Sequence, residues 1–150
     1  MTTLSELKAS GQIWSLHDQA PAGSLLSTGF AELDQLLVGG FPAHTVVEIH
    51  SDFGIGEFRL LLPCITNVLQ TQLLVMINPP FQIVGQMLFA AGIPCEQVLI
   101  LRPASSLDAL WAAEQCLKSA CCGFVILWQS QLSIGQLKRL QLCAQTGQAT

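Results

Sequence analysis

One stretch has the spacing of a phosphate-binding loop but not its chemistry: Ser51-Asp52-Phe53-Gly54-Ile55-Gly56-Glu57-Phe58. In a working loop of the form G-x-x-x-x-G-K-[ST], glycines let backbone N–H groups close on the phosphates. The lysine neutralises the β/γ charge, and the hydroxyl holds magnesium. Here Gly56 keeps its place, while Ser51 stands for the first glycine, Glu57 for the lysine and Phe58 for the hydroxyl. Two unit charges about 4 Å apart interact by roughly 4 kcal/mol at an effective dielectric of about 20, and with Glu57 the sign is repulsive. Asp52 adds a second negative charge beside the loop. A triphosphate is expected to be rejected unless metal ions mask both carboxylates.

Two further positions lack what nucleotide hydrolysis requires. The apolar run Phe124–Trp128 leads into Gln129-Ser130, where a metal-holding acid would be wanted. The run Leu73–Ile77 leads into Asn78-Pro79-Pro80, where an acid would activate water. Three independent losses predict no catalytic residue and no cofactor. His17, His44 and His50 show no ligand spacing, so no metal site is expected. No G-x-S-x-G elbow is present either.

The remaining candidates are contact residues: Trp14, Phe53, Glu57, Arg59, Trp128, Lys138 and Arg139. Each has a plainer reading. Trp14 either docks on its own domain or anchors a partner. Trp128, at the end of a strand, divides between core and contact surface. Lys138-Arg139 is either a solvated helix face or a site for an acidic partner. Trp111 reads as core.

Composition narrows the classes. Charged residues make up 11% of the 150 and apolar residues 51%, against about 25% charged in an average soluble domain. Part of that excess fits an apolar parallel sheet, and part fits a surface that a partner covers. The net charge of −4 and only six Lys and Arg, with just Lys138 and Arg139 adjacent, argue against strong direct nucleic-acid binding. The six cysteines form no C-x-x-C pair and read as reduced small hydrophobes. With no signal peptide and no apolar run of roughly 18 residues, a cytoplasmic protein without a membrane span is expected.

These residues need elements to position them. Residues 1–27 read as an N-terminal arm broken by Gly11, Pro21 and Gly23, with an apolar patch at Ile13, Trp14 and Leu16. Residues 28–150 read as one α/β domain. Phe30–Val38 is expected as a helix with an apolar side, and Thr45–His50 as a β-branched strand. A helix is expected from Glu57 to about Gln70, and Leu73–Ile77 as a strand covered on both faces. Helix Gln82–Ala91, strand Gln97–Leu101, a helix capped near Ser105 and Asp108, strand Phe124–Trp128 and a helix opened by Ser133 complete the series. Such alternation predicts a three-layer α/β/α fold: a parallel sheet flanked by helices.

Leu26-Ser27-Thr28-Gly29-Phe30-Ala31-Glu32-Leu33-Asp34, followed by Gly39-Gly40-Phe41-Pro42, resembles the S-T-G-x-x-x-L-D opening of RecA-type proteins. Closer still is the ImuA/SulA family. The resemblance runs through Gly54-Ile55-Gly56-Glu57-Phe58-Arg59-Leu60-Leu61-Leu62-Pro63, Ile77-Asn78-Pro79-Pro80 and Ala90-Ala91-Gly92-Ile93. It continues through Leu110-Trp111-Ala112-Ala113-Glu114-Gln115 and Leu137-Lys138-Arg139-Leu140-Gln141-Leu142. It covers nearly the whole chain from Trp14 onward, and it implies a RecA-like core lacking a functional nucleotide loop, in a protein of the bacterial SOS response.

ImuA-like proteins act in damage-induced translesion synthesis beside an inactive Y-family polymerase homologue and an error-prone replicative-type polymerase, and contact RecA. SulA-like proteins bind the division protein FtsZ and block septation. The S-T-G-F opening and the Gly-x-Gly-Glu loop favour the ImuA side, and the short length favours SulA. Relatives continue past the last helix into a further strand, so the resemblance implies either a short, SulA-sized member or a chain that continues beyond Thr150. RecA relatives polymerise through an N-terminal segment, which makes the Trp14 arm a candidate for joining copies.

Overall fold

The computed structural model describes residues 23–52, 54–82 and 85–150. At its centre lies Leu73–Ile77 (β3), paired in parallel with Val98–Leu101 (β4) on one side and Cys122–Leu127 (β5) on the other. Side chains alternate across a strand, and β3 uses both faces. Val75 and Ile77 enter one core cluster while Leu74 and Met76 enter the other, all four fully buried. A strand apolar on both faces must be covered twice, as expected for an interior parallel strand.

Helices supply both covers. Ser106–Lys118 (α4) and Ile134–Gly147 (α5) pack on the Val75 face through Ala109, Leu110, Ala113, Leu117, Leu140, Cys143 and Ala144. Glu57–Val68 (α2) covers the other face with Phe58, Leu61, Cys64 and Ile65, joined by Leu88 of Gly85–Ala90 (α3). The expected caps are in place. Ser105 Oγ accepts from the Asp108 amide at 3.1 Å, and Ser133 with Gln136 forms a reciprocal capping box. α4 and α5 pack closely because Gly147 lies against the Leu117 carbonyl, where any Cβ would collide. The Glu114 carboxylate, buried between the two helices, is held by the Arg139 guanidinium at 2.7 Å.

The parallel sheet flanked by helices is as the sequence predicts, and several local features differ. Thr45–His50 forms no ladder strand, although it is as β-branched as any strand in the chain. Among the described residues its edge meets a cavity and no neighbouring strand. Inside the expected arm, Leu25–Leu26 (β1) pairs antiparallel with Phe41–Pro42 (β2). Gly40 permits this approach, with φ of 124° and the Leu26 carbonyl where a side chain would begin. The helix expected at Phe30–Val38 shortens to Ala31–Leu36 (α1) and buries no residue fully. Trp111, read as core, is 63% exposed because α4 turns Leu110, Ala113 and Leu117 inward instead. Of the cysteines, Cys64, Cys122 and Cys143 are buried, while Cys95 and Cys121 are exposed.

Candidate functional site

The loop before α2 holds an anion, and that anion is the chain's own. Gly54 and Gly56 both take positive φ, 81° and 113°, which aims their amides into one concavity at the start of the helix. The Glu57 carboxylate turns back into it, accepting from the Gly54 amide at 3.2 Å through Oε1 and from the Gly56 amide at 3.2 Å through Oε2. The Gly54 amide is the main cause holding the Glu57 carboxyl below the usual carboxylate range. Partial burial opposes this, and the amides of Glu57, Gly56 and Ile55 assist it.

Beside it, Phe58 leaves the loop altogether. Its ring is buried and lies 6.0 Å from Phe81, which in turn meets Trp128 edge-on at 5.8 Å and 86°. These three rings close the base of the loop over the end of β5. No motif in the sequence singles out Phe81. The available signal was the rigid Pro79-Pro80 pair that fixes it, backed by Arg102, which donates to the carbonyls of Pro79 and Phe81 at 3.0 and 3.3 Å.

The structure brings together Gly54, Gly56, Glu57, Phe58 and Trp128, with Ser51 and Asp52 exposed nearby on the wall of the cavity. Arg59 is exposed on α2 and Lys138 on α5. Arg139, next to Lys138, is committed to Glu114. Trp14 and Phe53 lie outside the described residues. The S-T-G opening serves architecture: Ser27 Oγ and Thr28 Oγ1 each donate to the Asp34 carboxylate at 2.6 Å, and the Thr28 amide donates at 2.8 Å. The hydrogen bonds from the Ser27 and Thr28 side chains chiefly hold the Asp34 carboxyl below its ordinary value.

A cavity of about 740 Å³ separates residues 45–52 from β5. Its walls are mostly apolar, with Val46, Val47 and Ile49 on one side and Val125, Ile126 and Leu127 on the other. Glu48, Asp52 and Glu57 also line it. Among the described residues no three His, Cys, Asp or Glu side chains converge as a metal site requires, and no helix is long and apolar enough to cross a membrane.

No protein-family model matches the sequence, and no curated protein does. Solved structures do. SulA from Pseudomonas aeruginosa is 27% identical, with a TM-score of 0.58, over 72% of this chain and 93% of that one. The RadB recombinase shares the fold at 17% identity, with a TM-score of 0.61, over 83% of this chain and 67% of that one. In fold the chain is an α/β protein, similar to SulA and sharing the fold of the RadB recombinase.

Proposed function

We propose that the chain is a non-catalytic protein-binding module of the SOS response, a RecA-like core in which surface recognition has replaced nucleotide chemistry. One observation carries this reading: the Glu57 carboxylate is seated on the Gly54 and Gly56 amides. An incoming phosphate would have to displace a bound anion from those donors and would find neither a lysine nor a hydroxyl behind them. Phe58 fills the core where a metal-holding hydroxyl would stand.

For the partner, the leading reading is an ImuA-like accessory role in translesion synthesis, with RecA, the inactive Y-family polymerase homologue and the error-prone polymerase as contacts. It rests on the S-T-G-F opening and the Gly-x-Gly-Glu loop. The likeness to SulA over 93% of that chain favours a second reading, division inhibition through FtsZ. Capture experiments with RecA, the polymerase homologue and FtsZ separate the two, and capture of FtsZ alone would overturn the first. Titration with ATP and magnesium should give no binding heat. A micromolar affinity would end the non-catalytic reading.

A further inference from the structure

We infer that the outer face of α4 and α5 is a docking surface for an amphipathic helix of a partner protein, apolar along one side and acidic along its flanks. The inference rests on the protein-binding reading above and gives it a surface and a partner chemistry.

The two helices run matched stripes along one seam. Residues three and four apart share a helix face. Leu107, Trp111, Glu114 and Lys118 therefore align along α4, and Gly135, Arg139, Leu142 and Thr146 along α5. The stripes meet where the Arg139 guanidinium bonds both oxygens of the Glu114 carboxylate, at 2.7 and 2.8 Å. Further along, Leu117 lies against Gly147, so the helices run parallel and the stripes flank the seam together. Glu114 is buried in its floor, while the large side chains beside it stay out. Leu107 is 73% exposed, Trp111 63% and Leu142 64%.

The fold does not need these three side chains. α4 and α5 already bury Leu110, Ala113, Leu117, Leu140, Cys143 and Ala144 against the sheet. A single exposed leucine is ordinary, but a tryptophan and two leucines along one seam form a patch of the kind that partners cover. Trp and Arg are also the side chains that most often carry binding energy. Inside a helix the N–H groups are already bonded, so an added strand has nothing to pair with here. A helix laid along the seam meets it side chain to side chain, with anchors at i, i+3 or i+4 and i+7. Gly135 leaves room for one anchor, since a Cβ there would meet only Ser133 Oγ, at 3.9 Å.

Charge selects the flanks of that helix. α4 and α5 carry three of the chain's six Lys and Arg, namely Lys118, Lys138 and Arg139, but only two of its ten acids, Asp108 and Glu114. Both acids are engaged, Glu114 with Arg139 and Asp108 with the Ser105 hydroxyl at 2.7 Å in the helix cap. Lys118 and Lys138 are exposed. A chain of net charge −4 thus turns a positive face outward here, and acidic side chains complement it.

Titration calorimetry on the full chain tests this, with the acetylated tandem peptide of Glu-Leu-Glu-Ala-Leu-Leu-Glu as probe. Trp111→Ala on one helix, or Leu142→Glu on the other, should weaken binding about tenfold or more. Replacing every glutamate of the peptide by lysine should weaken it as much, and added salt should weaken the glutamate peptide. Leu36→Ala, which trims an exposed side chain on α1, should change nothing. All three variants alter exposed positions and should keep the unfolding midpoint of the unaltered chain. No binding heat, equal binding of the lysine peptide, or equal effects of Trp111→Ala and Leu36→Ala overturns the inference. Duplex DNA that binds the chain and is lost with Trp111→Ala overturns it too, because the face then serves phosphates. A dimer that Trp111→Ala dissolves makes the occupant a second copy, and the partner assignment falls. Capture of RecA, the polymerase homologue or FtsZ is scored in parallel. Capture that Trp111→Ala and Leu142→Glu leave intact removes this face alone. An unaltered chain that captures none of the three removes the protein-binding reading, while the peptide titration still judges the face.

Discussion

Leu73–Ile77 and Thr45–His50 are two short runs of similar local character with opposite outcomes. The first is bonded on both edges and buried on both faces, with four of its five side chains fully buried. The second alternates its valines between the same two cores but has no strand beside it among the described residues, and Ile49 is 38% exposed. β propensity measures how well a residue fits a pleated, half-buried surface. It does not supply the neighbour that makes the surface.

That contrast sets the largest expected effect. Leu74→Ala opens a cavity in a packed interior and should lower unfolding free energy by about 3 kcal/mol in urea titration. Val47→Ala, at the cavity wall, should lower it by less than about 1 kcal/mol. Equal losses would mean that the two runs are equally embedded and would remove the distinction.

The next effect lies between the helices covering β3. Arg139→Ala strands the buried Glu114 carboxylate and should lower stability by roughly 2 kcal/mol, reduced from the value for a fully buried pair because Arg139 itself is 64% exposed. Lys138→Ala next to it should change stability by less than about 0.5 kcal/mol, which separates the structural cation from the free surface one.

Glu57→Ala should lower stability by about 1 kcal/mol as the loop amides lose their anion. It should also let inorganic phosphate protect the loop in hydrogen exchange, which the unaltered chain should not do.

The smallest effect is a pH dependence. Asp34 and Glu57 both have carboxyls held below their ordinary values. Their stabilisation is therefore complete above the unfolded carboxylate range, about pH 4 to 4.5, and is lost as pH falls below it. Ser27→Ala should lower the neutral plateau slightly and so flatten the acid limb, leaving stability below the carboxylate range unchanged.

How much could be read in advance depended on whether the signal was local. The capping serines at 105 and 133 and the doubly apolar run at 73–77 state their own structure, since each needs only its near neighbours or a single covered environment. Trp111 was misread because helical periodicity alone cannot tell which of two apolar stripes faces the sheet: α4 carries Leu107 and Trp111 on the exposed side as well. That Glu57 and Phe58 follow Gly56, where a working phosphate loop carries lysine and a hydroxyl, was legible in the sequence. That Glu57 would occupy the amides itself, and that Phe81 would join Phe58 and Trp128, depended on backbone geometry and on contacts distant in sequence.

Residue order alone determined the alternation of helices and strands, the double burial of the central strand and the presence of Glu57 and Phe58 after Gly56, because each follows from local periodicity or side-chain chemistry. Tertiary structure decided which β-branched run became a strand and where the loop's negative charge came to rest. Both outcomes depend on which backbone groups are brought within hydrogen-bonding distance, and that is fixed only when segments far apart in the chain pack together.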